Sequence, residues 1–199
     1  LGLGRLGQRK IGEAQSEFQE ILNNDVGFAP AYYGLALVAF AREETSSAIN
    51  YLHDAIRWQP ATDYVYFRVL LGVIDPNLTV GDEEQLISQI SAPFEQHAFK
   101  LIKSAIAKNP DGVRAALEDM KTLEREDMVW LTDYLELALS GDRIYSRPPM
   151  RDARKRTLFS FYVALVYHAT DREEATRSLL QSLVSSYDYL SPEYYLAKM

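Results

Sequence analysis

Apolar side chains recur every three or four residues along most of the chain, the spacing of one face of an α-helix. The pattern predicts helix almost throughout, and no segment alternates convincingly enough to be a strand. The predicted spans are 1–8, 11–23, 29–42, 45–58, 62–74, 82–91, 92–108, 112–124, 126–140, 152–169, 172–186 and 191–198. We therefore expect an all-α fold.

Proline and glycine mark the boundaries between groups of helices. Asp75-Pro76-Asn77 interrupts the chain, and the segment from Gly141 to Pro149, which contains two adjacent prolines, is the clearest linker. The predicted regions are helical repeats over 1–75, degenerate helical hairpins over 76–140, a linker over 141–151, and a C-terminal hairpin with a capping helix over 152–199.

An internal period of 34 residues is present near the start of the chain. Three positions recur in the same order 34 residues later: Ala14, Phe18 and Ile21 become Ala48, Leu52 and Ala55. Small residues at such positions let two antiparallel helices approach closely, and the larger residues fill the space between them. Pro60 ends the second copy because proline cannot donate the helical hydrogen bond.

This unit resembles the tetratricopeptide repeat, a helix–turn–helix of 34 residues. With the second unit running from 29 to 62, the family's characteristic positions fall on Tyr32, Leu35, Ala36, Ala39, Ala48, Leu52, Ala55 and Pro60. The resemblance is specific over 1–75, where the first unit is expected to be truncated, and weaker near 92–110 and 156–186. In the former of these weaker stretches, the second-helix spacing is matched by Ala98, Ile102, Ala105 and Pro110. The resemblance implies an α-solenoid of stacked hairpins with an irregular helical C-terminal part.

The composition excludes several kinds of chemistry. The chain has no cysteine, so disulfides, thiolate metal sites and cysteine nucleophiles are excluded. Its formal charge of -7 gives it no overall attraction to nucleic acid or to an anionic membrane. No apolar run approaches the roughly 18 residues of a membrane span. The compartment stays open between cytoplasmic and exported.

Two features of the sequence, a glycine pattern and the histidines, could indicate ligand binding. The glycines from Gly2 to Gly7 match a dinucleotide fingerprint, but no strand precedes them as that site requires. The three histidines, His53, His97 and His168, lie far apart, and none has the partner four residues on that a helical zinc site has. We predict no metal, no cofactor and no catalytic constellation, and therefore a protein that is not an enzyme.

An aromatic groove is the first candidate binding site, and it is implied by the resemblance. First helices line the concave surface in the tetratricopeptide family, and the matching positions here are Tyr33, Leu37, Phe40, Tyr64, Phe67 and Leu71. Family members that grip a C-terminal carboxylate have Lys, Arg and Asn at these positions, which this chain lacks. Two interpretations stay open: a partner's segment occupies the groove, or the chain's own later helices fill it.

A basic segment is the second candidate. Six cations against Asp152 give it a charge of six minus one, or +5, and they are Arg143, Arg147, Arg151, Arg154, Lys155 and Arg156. Its acidic counterpart is either the protein's own helices, which we favour, or a partner.

We therefore predict a protein–protein interaction scaffold or adaptor that binds a partner segment in the apolar groove. The alternative is a structural or assembly subunit whose groove and C-terminal helices mediate homodimerisation. A third hypothesis is a helical domain attached to catalytic sequence outside this chain. These functional steps depend on analogy at the level of the fold.

Overall fold

The computed structural model describes residues 1–74, 88, 93–123, 126–141, 153–185 and 197. In that part of the chain it has ten helices and no strand, which confirms the all-α prediction. The helices are α1 (Gly2–Gly7), α2 (Ile11–Asn24), α3 (Ala29–Ala41), α4 (Thr45–Trp58), α5 (Thr62–Ile74), α6 (Pro93–Ile106), α7 (Pro110–Lys121), α8 (Glu126–Ser140), α9 (Ala153–Ala169) and α10 (Glu173–Val184). The predicted spans 82–91 and 191–198 lie outside the described residues, except for 88 and 197, which are helical.

The described residues form two compact units. The first contains α1 to α5, and the second contains α6 to α10. Within each unit consecutive helices pack against each other, and in the second unit α9 also packs against α6 and α7. The second unit therefore combines helices from the two regions that the sequence divides at the 141–151 linker. None of the helices described here is long and apolar enough to traverse a bilayer.

Four hairpins share one kind of turn. In each turn a non-glycine residue adopts a positive φ, and the next residue donates its N–H to the carbonyl five positions back at 2.9 Å. The positive-φ residues are Arg9 (63°), Glu43 (66°), Lys108 (50°) and Asp171 (57°). This left-handed residue and the long backbone bond form the Schellman arrangement, which satisfies carbonyls at the end of the first helix. The turns therefore join α1 to α2, α3 to α4, α6 to α7 and α9 to α10.

The 34-residue period extends to the backbone of the first unit. Arg9 and Glu43 are 34 positions apart and have the same left-handed conformation. Asp25 and Gln59, also 34 apart, are the extended residues that end α2 and α4. Each donates its N–H to the last turn of its helix, Asp25 to Ile21 O at 2.8 Å and Gln59 to Ala55 O at 2.9 Å. Two kinds of turn therefore alternate, one within a hairpin and one between hairpins.

The helix α6 occupies a different place from the one that the family spacing assigns to it. The spacing of Ala98, Ala105 and Pro110 treats it as a second helix that Pro110 stops. In the structure α6 is the first helix of a hairpin, and Pro110 begins α7. Proline suits that position because its missing N–H would have no partner there. The side chain of Asn109 caps the same helix by accepting from the backbone N of Gly112 at 3.0 Å.

Five of the six repeated positions lie in the core of the first unit, whereas Ile21 is exposed. Ala48, Leu52 and Ala55 are fully buried, as the 34-residue spacing predicts. The ring of Phe18 lies between two glycines, because a Cβ added to Gly2 would stand 2.6 Å from the ring and one added to Gly34 would overlap it. Glycine at both positions lets α1 and α3 close on the same ring.

Candidate interaction surfaces

The structure brings four of the six predicted groove residues together in two ring contacts of the first unit. The rings of Tyr33 and Tyr64 are stacked with their centroids 4.7 Å apart, and those of Phe40 and Phe67 are tilted at 5.0 Å. These two pairs join α3 to α5, the helices that the resemblance assigns to the groove. Aromatic pairs at such distances contribute about 0.5–1.5 kcal/mol each beyond the burial of their area.

This α3/α5 face is buried in the folded chain. Tyr33 is half-buried, and the other five residues expose 9 % of their surface or less, with Phe67 and Leu71 at 0 %. Burial raises the pKa of the Tyr64 hydroxyl, and the neighbouring Asp63 carboxylate adds to the effect. Contact with a partner would therefore require the face to open. That a partner occupies it stays a prediction.

The helix α5, which carries three of the six residues of the α3/α5 face, also has a buried arginine. Arg68 of α5 exposes 2 % of its surface, and its Nε donates to Nε2 of His53 on α4 at 3.2 Å. An imidazole can accept at Nε2 only when that nitrogen carries no proton. Desolvation lowers the pKa of His53, the Arg68 cation lowers it further, and Asp54 opposes the shift. The side chain of His53 is therefore neutral in this arrangement.

One open apolar surface of the first unit lies at the turns between hairpins. Val26 and Phe28 of the α2–α3 turn expose 63 % and 42 % of their surface, and Trp58 at the end of α4 exposes 49 %. The Trp58 ring lies against this turn, since a Cβ added to Gly27 would stand 3.5 Å from its Cε3 atom. We call Val26, Phe28 and Trp58 the turn patch. The turn patch was not among the predicted sites, although Val26 and Phe28 were a usable signal because helix periodicity does not account for apolar residues in a turn.

The basic segment falls almost wholly outside the described residues. This applies to Arg143, Arg147 and Arg151, and the side chains of Arg154 and Lys155 at the start of α9 are likewise outside the description. Arg156 is exposed. Which acidic groups face the segment therefore stays a prediction.

A charged cluster joins two hairpin turns in the second unit. Lys108 Nζ lies 2.8 Å from both Asp171 Oδ1 and Glu173 Oε1, and His168 Nδ1 lies 3.2 Å from the same Glu173 oxygen. Hydrogen bonds to the carboxylates raise the pKa of Lys108, and the bond to Lys108 lowers the pKa of Asp171 and of Glu173. Because Lys108 and Asp171 are the left-handed residues of their turns, the two hairpins stand with their turns side by side.

Arg172 holds three helices of the second unit together. Its guanidinium donates to the carbonyl of Ala138 near the end of α8 and, at 2.9 Å, to the hydroxyl of Thr170. The same group lies 4.3 Å from the centroid of the Tyr167 ring, within range of a cation–π interaction. Its backbone ends the α9–α10 turn, so this residue has a structural role.

The histidines do not converge. His53 pairs with Arg68, His97 lies 3.3 Å from Asp119, and His168 pairs with Glu173. Among the residues that the structure describes, no group of three or more His, Cys, Asp or Glu side chains is arranged to hold a metal ion.

No family model, no curated protein and no solved structure matches this chain.

Proposed function

We propose that this protein is an interaction module that binds an apolar or amphipathic segment of another protein at the turn patch of its first unit. The observation that carries the proposal is the exposure of three large apolar side chains, Val26, Phe28 and Trp58, at one edge. Tryptophan and other aromatic side chains are the usual anchors of protein interfaces, because they bury a large area with few rotatable bonds.

The backbone supports a tetratricopeptide-like arrangement of the first unit. Both kinds of turn repeat after 34 residues, and aromatic side chains of α3 contact those of α5. Successive first helices also pack side by side in tetratricopeptide solenoids, the fold that we propose for this unit. In such folds the hairpins form a rigid frame, and binding residues lie on its faces and edges.

The proposal is tested by measuring how strongly paired variants bind the partner that the wild-type protein captures. The variant Phe28→Ser, Trp58→Ser removes two of the three turn-patch residues, and Val129→Ser, Leu137→Ser is its control because it removes two exposed apolar residues of the second unit. We expect the first variant to bind a captured partner at least about 30-fold more weakly, as loss of a hot spot of ~2 kcal/mol implies. The control variant is expected to bind like the wild type.

A third variant, Tyr33→Ala, separates the turn patch from the α3/α5 face. If this variant loses the partner and Phe28→Ser, Trp58→Ser keeps it, binding takes place at the α3/α5 face and the proposal fails. The alternative function, homodimerisation, is tested by the solution mass of the same three variants. If the wild type is a dimer and only the turn-patch variant is a monomer, the partner that binds the turn patch is a second copy of the chain.

A further inference from the structure

The contact between His53 and Arg68 has the chemistry of a proton-sensitive latch. Arg68 keeps its charge at any physiological pH, and a guanidinium that is 2 % exposed depends on acceptors close by. The Nε2 atom of His53 is one such acceptor, at 3.2 Å. A proton added at Nε2 turns the acceptor into a donor and places a second cation beside the first.

The latch connects α4 to the helix that carries half of the aromatic face. Tyr64, Phe67 and Leu71 are on α5, as is Arg68, and His53 is on α4. Tyr64 and Phe67 contact the rings of Tyr33 and Phe40 on α3. Because α5 supplies one ring of each pair, displacement of α5 would act on both aromatic pairs.

We propose that protonation of His53 releases α5 from α4 and opens the α3/α5 face. The latch is closed when the imidazole is neutral and accepts from Arg68. It opens when the imidazolium repels the guanidinium.

The charged groups around His53 determine the direction of the effect. On its own helix Asp54 favours the protonated form, and on α5 Arg68 opposes it, as desolvation does. Of the described helices that pack against α4, α3 has no charged residue over 29–41 and only Tyr32 and Tyr33 as titratable groups. On α4 itself the remaining titratable side chains are Tyr51 and Arg57. On α5 the remaining titratable side chains are Asp63, Tyr64 and Tyr66. The net effect lowers the pKa of His53 below its ordinary value of 6.5.

The linkage between protonation and folding gives the direction in which pH changes the stability of this contact. Since the pKa is lower in the folded chain than in the unfolded one, the unfolded state binds the proton more readily. The stability that the neutral contact contributes is fully present above a pH of about 6.5 and is lost as the pH falls towards the folded pKa. The latch is therefore closed at neutral pH and opens on acidification.

Hydrogen exchange of the full chain measures the release of α5 directly. Amide protection is compared at pH 7.5 and pH 5.5, after correction for the intrinsic effect of pH, in peptides that cover α5 and, as an internal reference, α2. We expect α5 to lose up to about 10-fold in protection at the lower pH, the ceiling that linkage sets for one group with an ordinary pKa of 6.5 over this pH interval. The protection of α2 is expected to stay the same.

Two variants at the same position complete the test. In His53→Gln the amide oxygen still accepts from Arg68 but does not titrate, so α5 should stay protected at both pH values. In His53→Lys the cation is permanent, so α5 should exchange quickly at both. The inference is overturned if wild-type α5 shows no dependence on pH after correction, or if His53→Gln shows the same dependence. These results do not involve a partner, so they stand apart from the outcome of the capture experiment.

Discussion

Phe18 shows how a single side chain fixes the spacing of helices in the first unit. Its ring exposes 4 % of its surface and is enclosed on two sides by Gly2 of α1 and Gly34 of α3. The ring has no room to retreat from a side chain on α3, because the α1 backbone lies on its other side. Such closeness is available only to a residue without a Cβ.

We therefore expect Gly34→Ala to destabilise the protein by about 1–3 kcal/mol, the range for overpacking in a close-packed core. The matched control is Gly12→Ala in α2, where nothing lies within 4 Å of an added Cβ. That change should be neutral or stabilising by up to ~1 kcal/mol, since alanine loses less conformational freedom than glycine in a helix. Urea unfolding of the two variants measures both effects. Equal stability of the two would mean that the Phe18 ring does not set the distance between α1 and α3.

The four residues with a left-handed backbone at helix ends could not be predicted from their residue types. Glycine is the usual residue at this position of a helix end, yet the four turns have Arg, Glu, Lys and Asp. Lys108 and Asp171 use the position to bring opposite charges together, although 63 residues separate them. No local pattern predicts a contact between residues so far apart in sequence. This contact was therefore not predictable before the fold was known.

At the scale of elements, the charged cluster aligns two hairpins. Its ion pairs can be measured through the pKa of the Asp171 and Glu173 carboxyls. With Lys108→Met the nearest cation is removed, so we expect the pKa of the Asp171 and Glu173 carboxyls to rise towards their ordinary values. Hydrogen bonds from Lys108 are the largest cause of the present lowering, and the residual effect of His168 should persist. A pH titration followed by carboxyl NMR signals tests this.

The control for this titration is Arg114→Met, which removes an exposed cation that pairs with Asp111 instead of with the cluster. It should leave the titration of Asp171 and Glu173 unchanged. If Lys108→Met also leaves both carboxyls unchanged, the two hairpin turns do not stand side by side in solution.

Helices were predictable because their signals are local, whereas their pairing was not. Periodicity placed the ends of α2 to α5 within about one residue of the structure. The spacing around Lys108 did not determine which helix Pro110 belongs to, because a proline can follow one helix or begin the next, and Pro110 begins α7. The placing of Tyr33 and Tyr64 on neighbouring first helices followed from the family resemblance, but the burial of their face depends on contacts that no spacing encodes.

At the scale of the whole molecule, net charge and exposed apolar surface act in opposite directions. The formal charge of -7 keeps copies apart at neutral pH, while the turn patch favours association. The sequence has an isoelectric point of about 5.0, so repulsion between copies vanishes near that pH. Attraction through exposed apolar side chains then determines whether the molecules associate.

We therefore expect light scattering to rise as the pH falls from 7.5 to about 5, and to rise less in Phe28→Ser, Trp58→Ser. Serine carries no charge, so this variant has the isoelectric point of the wild type and differs only in its turn patch. Val129→Ser, Leu137→Ser changes as many exposed apolar residues in the second unit and should scatter like the wild type. Each measurement is repeated in a His53→Gln background, because opening of the α3/α5 face would add a second apolar surface over the same pH range. Identical scattering by all the variants would show that loss of charge alone drives association and that the turn patch takes no part in it.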